Sequence, residues 1–199
     1  MPSILIVYLL AFVSGFSIMS IELLGGRLLA PYFGSSVYVW GSIITVFMLS
    51  LSIGYLIGGR LSLYRPTLGR YAAIFLASAA CLYPLVLTSE DVMAAVFERV
   101  EDPRYGSLIA SGILFIVPTI ILGMISPYSV RLLTETTERA GHVAGRLYFV
   151  STLGSALGTL ITSFYFVLWF EMNTTLTGLT TALLTCAVIA WLAGRSGTR

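Results

Sequence analysis

The chain has 199 residues, 57% hydrophobic and only 10% charged, with a mean hydropathy of +0.94 and a formal net charge of +2. A soluble domain carries about 25% charged residues, so this composition excludes a soluble globular class and leaves an integral membrane protein. Each helical crossing uses roughly 20 apolar residues, so residues 1–199 read as a single all-α transmembrane domain of six helices, with no room for a separate soluble domain. The small net charge and the scatter of the eleven arginines, lysine being absent, also argue against a nucleic-acid partner.

The first apolar run predicts a helix over about 4–26. It has no basic leader, exceeds the usual signal core and carries Glu22 and Arg27 near its end, so it reads as a retained span. Glu22 is the one acid well inside an apolar run, about 27 Å along the helix axis from its start. An ionisable group at that depth suggests a pathway or a ligand contact; the bland alternative is an interface cap or an ion pair. Gly15, Gly25 and Gly26 share its side of the helix, and Arg27 lies roughly 140° away. A break at Gly25-Gly26 would let Glu22 and Arg27 reach one cavity. Pro31, Tyr32, Phe33, Gly34, Tyr38 and Trp40 follow as an aromatic, turn-prone connection of the interfacial-belt kind.

The second helix is expected over 38–59, with Gly54 and Gly58 at a small-residue spacing, followed by the basic connection of Arg60, Arg65 and Arg70. The third covers 71–88. After it, Glu90, Asp91, Glu98, Glu101 and Asp102 stand against Arg99 and Arg104, while Val92, Val96 and Val100 recur every four residues. That suits a short amphipathic helix at the interface. The fourth is expected over 107–126, with Pro118 inside it and residues 128–142 extending it into solvent. The fifth covers 145–169 and carries Ser151, Ser155, Thr159 and Thr162 on one face. Tight packing is the first reading of that face, and a polar path is the second. The sixth covers 174–193. Cys81 and Cys186 fall in apolar runs and read as buried thiols.

The basic residues orient the bundle. Arg60, Arg65, Arg70, Arg131, Arg139, Arg146, Arg195 and Arg199 gather on one side, against Arg27, Arg99 and Arg104 on the other. By the positive-inside rule both termini are cytoplasmic, in a multi-pass protein of the cell inner membrane. A faint internal repeat joins Arg27-Leu28-Leu29 to Arg131-Leu132-Leu133, and Gly54 and Gly58 to Gly154 and Gly158, at spacings of 100–104 residues. Three helices per unit would make the second unit inverted, as in many transporters.

Some chemistry is excluded. His142 is the lone histidine, so neither a His-based metal site nor a Ser-His-Asp set is available. There is no phosphate loop or dinucleotide fingerprint. No cofactor is implied, and the chain alone does not read as an enzyme.

The runs ELLGGRLLAPYFGSSVYVWGS (22–42), GYLIGGRL (54–61), SPYSVRLL (126–133) and GHVAGRLYFVSTLGSALGT (141–159) resemble the membrane half of the bacterial fused transporter–spermidine synthase-like proteins. The resemblance spans about residues 10–170. It implies a bundle similar to half of a major-facilitator transporter, joined in the family to a soluble aminopropyltransferase-like domain. This sequence ends just after the sixth helix, so the catalytic carboxylates of that domain have no counterpart. The polar and aromatic members of the matched runs are Glu22, Arg27, Tyr32, Trp40, Arg60, Arg131, Arg146 and Tyr148, which become the candidates for substrate binding or gating. Arg60 resembles the basic loop after the second helix of major-facilitator transporters, and a purely topological role also accounts for it.

Three functions follow. The first is a transporter or binder of a small, polyamine-like metabolite, for which six helices would have to form a homodimer. The second is a membrane anchor for a separately encoded aminopropyltransferase-like enzyme. The third, with least behind it, is an enzyme acting on a lipid substrate.

Overall fold

The computed structural model describes residues 2–64, 66–134, 136 and 139–196; Arg65 and Arg199, counted above for orientation, lie outside them. The described residues form helices and no strands. The helices are α1 (Pro2–Phe33), α2 (Val37–Ser62), α3 (Leu68–Arg99), α4 (Pro103–Gly123), α5 (Ile125–Leu133), α6 (Ala140–Ile161), α7 (Val167–Trp169) and α8 (Met172–Ser196). A π-helical turn, Thr162–Phe166, joins α6 to α7. Taken as membrane crossings, α4 with α5 forms span four and α6 with α7 forms span five, giving six spans. An even number of crossings puts the start of α1 and the end of α8 on one face, here called proximal; the opposite face is distal.

Several boundaries depart from the sequence expectation, each for a packing reason. α1 does not break at Gly25-Gly26. Both glycines are buried in contact, Gly25 under the Phe115 ring and Gly26 under the Trp40 indole. The helix continues through Pro31, so the aromatic connection shrinks to Gly34, Ser35 and Ser36, with Gly34 at φ 80 making the turn. The expected separate interfacial helix after residue 88 is the distal end of α3. Met93 and Val96 are buried there, and Phe97 packs its ring 5.9 Å from Phe33 and 6.1 Å from Tyr32 at the end of α1. These contacts hold the acidic segment in line with the helix. At 32 residues α3 is about 48 Å long, well beyond the ~30 Å of hydrocarbon.

α4 begins at Pro103 because Asp102 caps it, its Oδ1 accepting from the Arg104 N–H at 2.9 Å, with proline in the first turn where no donor is needed. The helix is interrupted at Met124 and resumes as α5. That helix stops at Leu133, so residues 128–142 do not form one solvent extension of helix four. α6 instead starts at Ala140, earlier than expected.

The spans associate in three close pairs: one with five, two with four, and three with six. Glycines set the first two. A Cβ on Gly154 or Gly158 would collide with the carbonyl oxygens of Phe12 and Phe16, and one on Gly15 with that of Ser151. A Cβ on Gly54 or Gly58 would collide with the carbonyls of Ile120 and Met124, and one on Gly123 with that of Leu51. Shifting span two by 100 residues and span one by 108 carries one set of contacts onto the other throughout. The repeat is therefore present in the packing, and it is inverted because span four runs against span one. Its register on the first helix is 108, one helical turn from the 104 implied by matching Arg27 to Arg131. Side chains at a helix end are read by solvent, whereas glycines under a neighbouring backbone admit one register only.

Spans three and six complete the bundle. Tyr71, fully buried, stacks on Tyr128 at a centroid distance of 5.8 Å, and its hydroxyl lies 2.6 Å from Ser129 Oγ. Tyr128 in turn accepts the Thr67 N–H at 3.0 Å. This chain of contacts ties the start of α3 to α5.

Candidate functional site

The inverted repeat has its axis between spans one, two, four and five, and a cavity of about 420 Å³ lies there. Five pairs of residues related by the repeat line it together: Ser14 with Leu122, Ile18 with Ser126, Met19 with Pro127, Leu51 with Ser151, and Tyr55 with Ser155. Exact symmetry would make the two walls alike. Here the first half supplies bulk from Ile18, Met19, Leu51 and Tyr55, while the second supplies hydroxyls from Ser126, Ser151 and Ser155. Tyr148 and Thr152 add a phenol and a hydroxyl to a lining that is otherwise mostly apolar and has no charged side chain among the described residues.

Local backbone chemistry frees this space. Pro127 lacks an N–H and so leaves a backbone carbonyl one turn earlier without its helical donor, just after the interruption between α4 and α5 at Met124. Ser155 Oγ can donate to the carbonyl of either Gly15 or Ser151, both at 3.2 Å. One hydroxyl hydrogen cannot serve both acceptors fully, so a bound solute would find acceptor capacity at the α1–α6 seam. The cavity lies nearer the proximal face, since its α2 residues stand near the end of that helix and its α6 residues near the start. On the distal side the bundle is closed by Phe115 against Gly25, by Trp40 against Gly26, and by Phe47 and Phe115 at 5.4 Å between ring centroids.

The residues singled out from sequence are spread over the molecule. Tyr148 lines the cavity. Glu22 is half-buried one turn distal of Met19 on the same face of α1, next to the lining but outside it. Arg27 is exposed at the distal end, where its Nη1 donates to the Phe170 carbonyl at 3.4 Å. The unbroken helix thus keeps Glu22 and Arg27 on different faces. Tyr32 is engaged with Phe97, and Trp40 covers Gly26. Arg60, Arg131 and Arg146 are exposed on the proximal side, Arg131 donating to the Thr134 carbonyl at 3.4 Å.

Ser14, Met19, Tyr55 and Ser126 escaped the sequence reading. Tyr55 and Ser126 stand inside the quoted runs, but a hydroxyl within an apolar helix carries no mark of which face is open. No cluster of His, Cys, Asp or Glu able to hold a metal occurs among the described residues. Cys186 is buried, as expected of a thiol in an apolar run, whereas Cys81 is only partly buried. Comparison with protein-family models, with curated proteins and with solved structures gives no match.

Proposed function

We propose that this multi-pass membrane protein binds a small polar solute in the cavity on the repeat axis and carries it across the bilayer. The cavity's position is the observation that supports the reading. In inverted-repeat transporters the substrate site lies near the midplane where the two repeats meet, and exchange of the repeats' conformations opens it to the other side. A cavity closed distally and placed toward the proximal face suits one such state. Hydroxyls and phenols set in a mostly apolar lining favour a solute with a few hydrogen-bonding groups on an apolar body. A polyamine-like cation, as the family resemblance implies, would have Glu22 as its one counter-charge within a helical turn.

Among the described residues the proximal side carries Arg60, Arg70, Arg131, Arg139, Arg146 and Arg195, against Arg27, Arg99 and Arg104 on the distal side. By the positive-inside rule this bias supports a cytoplasmic proximal face, with both ends of the bundle, in a protein of the inner membrane.

Uptake by proteoliposomes of a panel of labelled solutes, spermidine and putrescine among them, tests the reading. Wild-type protein should accumulate at least one solute, and Ser126→Trp, which fills the cavity, should abolish that uptake. Glu22→Gln should remove uptake of cations selectively. Absence of uptake across the panel, or uptake indifferent to Ser126→Trp, would move the site elsewhere. The exposed arginines of the proximal face favour a second reading, an anchor for a separate aminopropyltransferase-like enzyme. Stoichiometric co-purification of such a protein from native membranes would establish it.

A further inference from the structure

We propose that the proximal end of α6 binds an anionic phospholipid, its phosphate held by Arg139, His142 and Arg146 and one acyl chain lying along α6 toward the bilayer centre. Two adjoining hollows carry the inference. The first, about 260 Å³, is lined by Arg139, His142 and Arg146 together with Tyr8 of α1 and Leu133 of α5. The three basic side chains recur at i, i+3 and i+7 and converge on one space. None forms an ion pair with a carboxylate among the described residues. A concave site with two guanidinium groups and no acid among its described lining residues attracts phosphate, and offers a zwitterionic headgroup no partner there for its cation.

The second hollow is a groove of about 610 Å³ that shares Tyr8, His142 and Arg146 with the first. It continues along α6 past Gly145 to Phe149 and Val150, and its remaining surface is mostly apolar. Around Gly141 and Gly145 there is open space, with no atom within 4 Å of an added Cβ. A free phosphate would occupy only the basic hollow. A molecule with an anionic head and an apolar tail occupies both, and only the tail accounts for the groove. The setting agrees: span five is 17% buried within the chain, against 39–50% for the other five, so its surface is the one most given over to lipid. Basic pockets at the interfacial end of membrane helices hold anionic headgroups by this combination of charge and depth.

Native mass spectrometry of the full chain in mild detergent tests the site, with dioleoylphosphatidylglycerol titrated against dioleoylphosphatidylcholine and inorganic phosphate as the head-only competitor. Wild-type protein should retain one phosphatidylglycerol in preference to phosphatidylcholine, and millimolar phosphate should not displace it. The double variant Arg139→Gln/Arg146→Gln should weaken retention about tenfold or more. Arg60→Gln, which removes one charge from the same face elsewhere, should retain the lipid. Gly145→Leu should also weaken retention while leaving every charge in place, and it adds a side chain where space is open, so folding is undisturbed. Equal retention of the two lipids, equal loss in Arg60→Gln, displacement by phosphate, or full retention in Gly145→Leu would each overturn the proposal. So would displacement of the lipid by a stoichiometric protein bound at these arginines.

Discussion

Gly154 of α6 lies so close to Phe12 of α1 that its own missing Cβ would overlap the Phe12 carbonyl oxygen. The repeat places the same contact between Gly54 and Ile120. Substituting either glycine with valine should therefore force its helix pair apart and cost about 1–3 kcal/mol or more, the usual range for overpacking. Gly59, with no atom within 4 Å of an added Cβ, is the control. Gly59→Ala should leave stability unchanged or slightly raised, since alanine is the better helix former. Thermal unfolding in detergent would show the ordering, and equal behaviour of all three variants would refute the packing register.

The Tyr71–Ser129 contact makes a second, asymmetric prediction. Ser129 Oγ also donates to the Ile125 carbonyl at 2.7 Å, so Tyr71→Phe leaves Ser129 satisfied and should cost about 1 kcal/mol. Ser129→Ala leaves the fully buried Tyr71 hydroxyl without that partner and should cost more, about 1–3 kcal/mol. Chemical denaturation of both variants in the same micelle would check the order.

Accessibility of the cavity can be read without knowing the solute. In a Cys81→Ala/Cys186→Ala background, Ser151→Cys should react with a membrane-impermeant maleimide applied to the proximal face. Ser111→Cys, at a position with no exposed surface, should not. Labelling of Ser151→Cys from the distal face alone would show that the cavity opens the other way.

The distal end of α3 should be separable from the rest. Its acidic residues are held in line by Phe97 against Phe33 and Tyr32. Phe97→Ala should speed amide hydrogen exchange over residues 90–99, and leave exchange at the buried Tyr71 end of the same helix unaffected. Uniform protection along α3 in the variant would mean that the segment is held by other contacts.

How much of this was legible in the sequence varies by element. Six spans followed from apolar run lengths, and span six matched to within a few residues at each end. Runs ending in polar or acidic residues were cut short. The acids at 90–98 read as leaving the membrane, whereas Met93, Val96 and Phe97 keep the helix going against α1. The glycines at 25–26 read as a hinge because glycine weakens a helix. In the bundle they are the places where Trp40 and Phe115 come close.

The cavity was the least legible part. Charged and aromatic residues attract notice in an apolar chain, and most of those noticed lie at the two faces, where topology and interfacial anchoring account for them. The lining mixes serine, threonine and tyrosine with isoleucine, leucine and methionine, and such residues look alike in sequence whether they face a neighbour, lipid or a void.

Composition and run length alone determined that the chain is a six-span all-α membrane protein. Transfer of apolar residues into a bilayer is a local, additive property of the sequence, readable one segment at a time. Tertiary structure decided the register of the inverted repeat, the unbroken course of α1, the separation of Glu22 from Arg27 and the cavity on the axis. Each of those depends on which helix meets which glycine across the bundle, and that closeness is set by residues of different helices, from Gly26 under Trp40 to Gly154 against Phe12.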